Sequence, residues 1–301
     1  MNQFKFFSSL CLFFLLSGFQ QLSFAQGNTG FLAGTGVMWY QGDLSEKLDK
    51  VFSKTSSFKP FVRVGVVNRI FSHAEMSINF MHGSVAADDA RATEKDNLLR
   101  NQSFKSSINE LAVHFEFSLR NLNRRPVVNP FIYGGAGAFK FNPKALYNGR
   151  WYELQPLGTE GQNITEVTFN KPYSLTGISF PVGIGISIQP SPKWRIRVDY
   201  GHHKTNTDYI DDVSTFYVDS ALLASAPYGL LTVALANRRL EPLYPPAGRS
   251  RGNPKMKDSY SHIGISVIFN PGTPGGGRGK RGGLLGITRK KHDVNDACPG
   301  F

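Results

Sequence analysis

Apolar and polar residues alternate with a period of two over eight segments of this chain. The pattern is clearest at 111–119, where Leu, Val and Phe alternate with Ala, His, Glu and Ser, and it recurs at 31–40, 62–66, 74–80, 131–141, 178–188, 194–200 and 262–269. Successive side chains of a strand point to opposite faces. Segments of about ten alternating residues are typical of membrane-barrel strands. The pattern therefore predicts an all-β fold, an eight-stranded antiparallel transmembrane β-barrel.

The connections between the predicted strands alternate in length. Three are short (68–72, 120–129 and 189–192), and the four between them are long (41–59, 83–103, 142–173 and 202–258). Outer-membrane barrels have short periplasmic turns and long outer loops, whereas a soluble antiparallel sandwich need not place every long loop at one end. The lengths favour the membrane barrel and predict that the N-terminus and the C-terminal tail are periplasmic.

The first 25 residues have the pattern of a secretory signal peptide. Lys5 precedes an apolar run at 6–19 that is too short to span a bilayer, and Ser23-Phe24-Ala25 places small residues at the cleavage positions. We expect the mature chain to begin near Gln26. Since no later segment offers about eighteen consecutive apolar residues, a closed barrel is the expected membrane-spanning structure.

The alternation stops after Phe269. Residues 270–301 are rich in glycine and basic residues, a composition typical of flexible segments. The predicted organisation is a signal peptide at 1–25, the barrel at 26–269 and a flexible basic periplasmic tail at 270–301. Within the tail we predict a partner-binding segment formed by Arg289, Lys290, Lys291 and Cys298. Cys298 is the only cysteine left after removal of Cys11 with the signal peptide, and it is either a free thiol or linked to another chain.

The charge balance is basic. The chain has 34 Lys and Arg against 22 Asp and Glu, a formal net charge of +12. An exported chain rarely meets nucleic acid, so we expect the counter-charge to be an acidic lipid surface or an acidic partner.

Charged residues occupy the faces predicted to point inward. They are Arg63, Glu75, Glu110, Glu116, Lys140, Lys193, Arg195, Arg197, Asp199 and His262. An eight-stranded barrel is just wide enough for side chains to fill it, and an unpaired buried charge is costly. We therefore predict a polar plug of ion pairs among Arg63, Glu75, Glu116, Arg195, Arg197 and Asp199. A proton or ion path along the same residues remains open.

Aromatic residues are predicted to form a belt at each rim of the barrel, where the membrane meets water. The periplasmic belt would contain Phe31, Phe71, Phe117, Phe131, Trp194 and Phe269. The outer belt would contain Trp39, Tyr40, Phe61, Phe80, Phe139, Tyr200 and Tyr260.

No motif predicts a metal, a cofactor or catalysis. Adjacent His202 and His203 would point to opposite faces of a strand, so we expect rim positions rather than a chelating pair. The acidic run at 208–212 lacks the glycine turn and distal glutamate of a calcium loop, so a turn capped by aspartates is expected. His82, Ser84 and Asp88 have a spacing that is common by chance. We expect no enzyme, and a lipid-modifying enzyme is the least favoured hypothesis.

Several segments resemble one known family. They are FKFNPKA at 139–145, YNGRWYELQPLGTEGQ at 147–162, TDYIDDVS at 207–214, RGNP at 251–254 and CPGF at 298–301. They are similar to the PorG-like family, outer-membrane barrels of the type IX secretion apparatus in Bacteroidetes. The resemblance implies a structural subunit associated with the periplasmic ring proteins PorK and PorN, with no enzymatic activity and no cofactor. The alternative is a surface barrel whose outer loops bind an extracellular ligand.

Overall fold

The computed structural model describes residues 29–44, 57–92, 94–167, 170–240 and 245–271. The predicted signal peptide lies outside the described residues. So does nearly all of the predicted tail, including Arg289, Lys290, Lys291 and Cys298.

The described part of the chain contains nine strands and three short α-helices. The strands are β1 (Thr29–Gln41), β2 (Lys59–Arg69), β3 (Ala74–Asp88), β4 (Ser103–Ser118), β5 (Val128–Tyr147), β6 (Arg150–Glu153), β7 (Thr176–Ile188), β8 (Trp194–Thr205) and β9 (Ser259–Phe269). The helices are α1 (Lys95–Arg100), α2 (Ser220–Ala224) and α3 (Gly229–Ala236). No helix in this part of the chain is long and apolar enough to cross a membrane.

Eight of the strands close into an antiparallel barrel. Sequential neighbours pair from β1 to β5, β5 continues to β7, β8 and β9, and β9 pairs with β1 to close the ring. The short strand β6 forms a hairpin with the end of β5 and lies outside the ring. This closed arrangement leaves no free edge among the eight strands, and it confirms the predicted fold class.

The alternation places apolar side chains outside and polar side chains inside, the inverse of a soluble protein. On β4, Phe115 and Phe117 are 59% and 52% exposed, whereas Glu110 and Glu116 are buried. Such an outer surface is stable only against an apolar solvent, because exposing it to water would forfeit the hydrophobic stabilisation.

Strand β5 has the opposite orientation from the predicted one. Phe131 and Tyr133 are buried inside the barrel, and Lys140, predicted to face inward, is exposed on the outside. Inward glycines on β7 explain the difference, because a Cβ at Gly183 would lie 2.3 Å from the ring of Tyr133 and one at Gly185 would lie 2.4 Å from that of Phe131. The glycines leave space that the two rings fill.

Other predicted positions are also wrong. Lys193 is exposed in the turn before β8 rather than inside the barrel. Several rings predicted for the rims are buried within the barrel instead: Tyr40, Phe61, Phe131, Phe139 and Tyr260. Trp39 lies on the outer face, where Phe58 and Tyr200 cover it, whereas Phe31, Phe71, Phe80, Phe117, Trp194 and Tyr200 are exposed as predicted. Strand phase explains the rings that lie inside the barrel, since Phe61 shares a face with Arg63 and Tyr260 shares a face with His262.

The short and long connections lie at opposite ends of the barrel. The short ones (70–73, 119–127 and 189–193) share one end with Thr29 and Phe269, which are the outer limits of β1 and β9. The four long ones (42–58, 89–102, 148–175 and 206–258) leave and re-enter the barrel at the other end. Strands β3 and β5 continue further toward the long-loop end than the alternation predicted, to Asp88 and Tyr147.

Candidate functional site: the filled lumen and its loop cap

The half of the lumen nearer the short connections is called the lower lumen, and the half nearer the long connections is called the upper lumen. Strand β8 lines the lower lumen with three charged side chains, each of which forms an ion pair with a residue of a different strand. Arg195 Nη1 lies 2.7 Å from Glu75 Oε2 on β3, and Arg197 forms an ion pair with Glu116 on β4. Their four side chains are at most 7% exposed. At such depth a guanidinium without its carboxylate would be destabilising by several kcal/mol.

The third charged residue of β8, Asp199, binds the guanidinium of Arg63 through both oxygens. The distances are 2.6 Å from Nη2 to Oδ1 and 3.0 Å from Nη1 to Oδ2. Below this pair the guanidinium of Arg197 lies 4.2 Å from the centroid of the Phe131 ring, a cation–π contact. The six residues predicted as interior ion pairs are thus brought together as three pairs.

A chain of two histidines crosses the lumen between two carboxylates. His262 Nε2 lies 3.1 Å from Asp199 Oδ2, His262 Nδ1 lies 3.0 Å from His203 Nε2, and His203 Nδ1 lies 3.0 Å from Glu110. Each of the three contacts needs one hydrogen, and two neutral imidazoles carry only two. The third hydrogen must therefore lie either on one of the two imidazoles or on one of the two terminal carboxyl groups.

Glu110 is held by further donors that the sequence did not single out. Tyr260 donates its hydroxyl at 2.9 Å, and Ser179 donates its hydroxyl to the same oxygen. Their inward positions follow strand phase, because Ser179 alternates with the exposed Ile178 and Phe180, and Tyr260 shares a face with the buried His262. His203 was predicted at the rim but is buried inside, whereas His202 lies on the opposite face and contacts Ser261.

The upper lumen is apolar and is closed by the long connection between β8 and β9. Ile210 and Val213 of that connection are 0% and 1% exposed. They pack on side chains of the barrel wall that include Met38, Phe61, Met81, Ile108, Phe139 and Tyr260. The connection therefore folds back over the mouth, and this end of the lumen is filled by protein.

Above the mouth the long connections form a folded cap around one buried ion pair. Arg251 Nη1 lies 3.0 Å from Glu160 Oε1, and Arg251 also donates to the carbonyl of Asp212. Glu160 accepts further hydrogen bonds from the amides of Ser214 and Thr215 and from the Thr215 hydroxyl. These contacts join the β6–β7 connection to both ends of the β8–β9 connection.

A tyrosine hydroxyl bridges two carboxylates beneath this ion pair. Tyr40 Oη lies 2.7 Å from Asp211 Oδ2 and 2.5 Å from Asp258 Oδ1. The hydroxyl has one hydrogen, so a second proton must lie on one of the carboxyls. Burial, together with the charge of neighbouring aspartates, raises the pKa of both Asp211 and Asp258, in agreement with the shared proton.

Local donors also bind the acidic run of the cap. Asp211 accepts from the amide of Val213 at 2.9 Å, and Asp208 accepts from the Ser214 hydroxyl at 2.7 Å. Burial raises the pKa of Asp208 to about 7 and that of Asp212 to about 6, although Arg251 opposes the rise at Asp212. Across the described residues no group of three or more His, Cys, Asp or Glu has a geometry that could hold a metal ion.

The cap is also fastened across its perimeter. Gln102 Nε2 donates to the carbonyl of Ala236 at 3.1 Å, and Arg238 Nη1 donates to Ser103 Oγ at 2.7 Å. Two apolar clusters support α2 and α3, one around Leu223 and one around Leu235. The connections between β3 and β4, between β5 and β7, and between β8 and β9 therefore form one packed layer.

The residues considered for catalysis are not assembled into a site. His82 and Ser84 share the outer face of β3, about 7 Å apart along the strand. The ring of His82 instead contacts Asn109, with Nδ1 2.7 Å from Oδ1. The absence of enzymatic activity stays a prediction.

Comparisons with known proteins agree with this architecture. The model of the "Outer membrane protein beta-barrel domain" family matches residues 11–220. Among solved structures, Neisserial surface protein A is 7% identical with a TM-score of 0.41, covering 80% of this chain and 96% of its own. Ail of Yersinia pestis, solved with the heparin analogue sucrose octasulfate, is 11% identical with a TM-score of 0.37, covering 81% and 98%.

The protease OmpT of Escherichia coli also matches, with 5% identity, a TM-score of 0.35 and coverage of 83% of this chain and 99% of its own. No curated protein matches the sequence. The family model spans well over half of the chain, so the chain belongs to the outer membrane protein β-barrel domain family and is an outer-membrane β-barrel.

Proposed function

We propose that this chain is a structural outer-membrane subunit of the type IX protein secretion apparatus, and that it associates with the periplasmic ring of PorK and PorN. The observation that carries the proposal is the filled lumen. Ion pairs occupy its lower part, and Ile210 and Val213 close its upper part. A barrel with no space for cargo acts through its two ends.

The segments that resemble the PorG-like family support this proposal. Glu160, Asp212 and Arg251 all belong to these segments, and they form the central contacts of the cap. The resemblance therefore concerns the residues that give the long-loop end its structure.

The proposal orients the barrel with its long loops outside the cell and its termini in the periplasm. The basic tail then lies on the side of the ring, where Arg289, Lys290 and Lys291 would contact an acidic surface.

Affinity purification of the full chain from detergent-solubilised membranes tests the association. PorK and PorN are expected to co-purify with the intact chain and to be lost on deletion of residues 275–301. The triple variant Arg289→Gln, Lys290→Gln, Lys291→Gln should weaken recovery more than its charge-matched control Arg278→Gln, Lys280→Gln, Arg281→Gln. Failure to recover either ring protein, in detergent that keeps the ring itself intact, would refute the proposal.

Cys298 offers a second test on the same side. If it is linked to a periplasmic partner, a larger species should appear on non-reducing gels and disappear with reductant or with Cys298→Ser. Identical migration with and without reductant would refute the link.

A surface barrel that binds an extracellular ligand is the second candidate. It is favoured by the stretch from Ser220 to Ala236, which contains no charged residue and exposes Tyr228 and Leu230 by 51% and 79%. The two functions depend on opposite ends of the barrel, the tail end for the ring and the long-loop end for an extracellular ligand. Deletion of residues 275–301 should abolish the ring association and spare ligand binding, whereas Leu230→Asp should do the reverse.

A further inference from the structure

A polar and basic zone borders the apolar outer wall of the barrel. On β4 and just beyond it, five successive outward side chains are apolar and exposed: Leu111, Val113, Phe115, Phe117 and Leu119. The next three outward residues toward the long-loop end are Asn109, Ser107 and Lys105. On β5 the outward residues change in the same direction, from Ala136 and Ala138 to Lys140, Asn142 and Lys144.

The strand register places this change at one level on three neighbouring strands. Leu111 is opposite Phe80 on one side and Ala138 on the other, so this row is apolar. Asn109, the next outward residue, is opposite His82 and Lys140. Lys140 therefore lies one outward position, about 7 Å of strand, beyond the apolar wall, at the depth where lipid headgroups begin.

The positive charge of this zone is only partly balanced. Lys105 and Lys144 are directly opposite each other, an arrangement that is destabilising for like charges. Lys144 pairs with Glu153 at 2.9 Å. Within the part of the chain that the structure describes, neither Lys105 nor Lys140 forms an ion pair.

We propose that Lys105 and Lys140 bind the phosphate groups of a phosphorylated glycolipid in the outer leaflet. Lysine stems can lie along an apolar wall while their ammonium groups reach the headgroup layer, where each acts as a point charge for phosphate. Asn109 is directly opposite Lys140 and contacts His82, and this pair adds polar groups to the same face. The assignment to the outer leaflet rests on the orientation in the proposed function.

Native mass spectrometry of the detergent-purified full chain tests this surface. The probes are the outer-leaflet glycolipid of the native membrane, the same glycolipid after phosphatase treatment, and phosphatidylglycerol. The double variant Lys105→Gln, Lys140→Gln should bind the phosphorylated glycolipid about thirtyfold more weakly, given about 1 kcal/mol for each of the two lysines near an anionic surface. The charge-matched control Lys193→Gln, Lys255→Gln should bind as the unmodified chain does.

Equal affinity of the double variant and the control would overturn the proposal, and so would equal binding of the glycolipid before and after phosphatase. Phosphatidylglycerol binding with the same affinity and the same dependence on the lysines would overturn the choice of glycolipid. Displacement of the glycolipid by inorganic phosphate at a similar concentration would reduce the surface to a general anion site and overturn it too. Because these lysines are distant from the tail, the ring co-purification is scored separately and can fail while lipid binding persists.

Discussion

Individual buried charges in the lumen are tolerated because each has a partner at hydrogen-bonding distance. Arg195 and Glu75 are 4% and 3% exposed, and their contact of 2.7 Å replaces the water that both lost. Removing one partner leaves the other charge buried and alone, whereas replacing both by apolar groups removes the problem. The contribution of such a pair to folding stability is therefore measured by comparing single and double substitutions.

Glu75→Gln is expected to reduce the free energy of unfolding by about 3–5 kcal/mol, because the Arg195 charge stays buried without its carboxylate. Urea unfolding in lipid vesicles, followed by the mobility difference of folded and unfolded barrels on gels, measures the change. The double variant Glu75→Leu, Arg195→Met should show a much smaller decrease in the free energy of unfolding. Equal losses in the single and double variants would contradict this account.

A second prediction at this scale concerns the inward glycines. Gly185→Leu should prevent folding or reduce stability by more than 3 kcal/mol, since a Cβ there already lies 2.4 Å from the Phe131 ring. The combination with Phe131→Ala should restore part of the loss by opening space, and the same unfolding assay reports it. No recovery in the combined variant would argue against the packing explanation.

At the scale of elements, the cap behaves as one unit because separate connections share buried polar groups. Glu160, Asp212 and Arg251 are each at most 5% exposed and come from two connections that are far apart in sequence. A network of this kind is stable only when all its members are satisfied. Loss of one member should loosen the whole layer while the barrel below persists.

Arg251→Met should therefore expose the cap to proteolysis. The substitution leaves Glu160 and Asp212 buried without their cation. The free energy of local opening of the cap should therefore fall by about 3–5 kcal/mol. Limited proteolysis in detergent measures this as faster cleavage within residues 148–175 and 206–258, with the barrel fragment unchanged. The exposed control Arg150→Met should be cleaved at the normal rate. Resistance equal to that of the control would count against the network.

Cap stability should also fall as pH rises. The pKa of Asp212 in the folded chain is about 6 and that of Asp208 is about 7, both above the ordinary value of 3.8. A raised acid pKa stabilises the fold fully below the ordinary pKa, and this contribution is lost as pH rises through the folded value. Proteolysis of the cap, with a protease active across the range, should be slower at pH 5 than at pH 8. Asp208→Asn should reduce the difference, and a reversed pH dependence would contradict the assignment.

At the scale of the whole molecule, the described residues form a closed outer-membrane barrel with side chains packed in its lumen. Strands β1 and β9 close the ring, so the wall has no unpaired edge among its eight strands. Within the described residues, ion pairs occupy one part of the interior and the apolar plug occupies the part near the long connections. The functions proposed above therefore concern the two ends of the barrel and its lipid-facing wall.

Purified protein reconstituted in planar bilayers should show no steady ion conductance, because the interior is occupied by side chains. A conducting porin reconstituted in the same way is the control for insertion. Deletion of residues 207–213 should remove the upper plug but leave the lower ion pairs, so conductance should still stay far below that of the porin. A stable open channel in the intact chain would contradict the structural role.

The alternation along the chain determined the fold class, the strand order and the end at which the long loops lie, because each follows from period-two patterning and loop length. It also placed Arg63, Glu75, Glu116, Arg195, Arg197 and Asp199 on the inner face. Strand β5 shows where this reasoning fails. Its faces carry similar polarity, and its orientation depends on the inward glycines of β7, which are distant in sequence.

The partners of the buried charges and the form of the cap were decided only by tertiary structure. Nothing local indicates that Glu75 meets Arg195, that His203 links His262 to Glu110, or that Tyr40 joins Asp211 and Asp258. These contacts depend on the register between strands and on long connections that fold back over the mouth. The sequence determines which residues must be shielded from lipid or water, whereas closure of the barrel determines which of them meet.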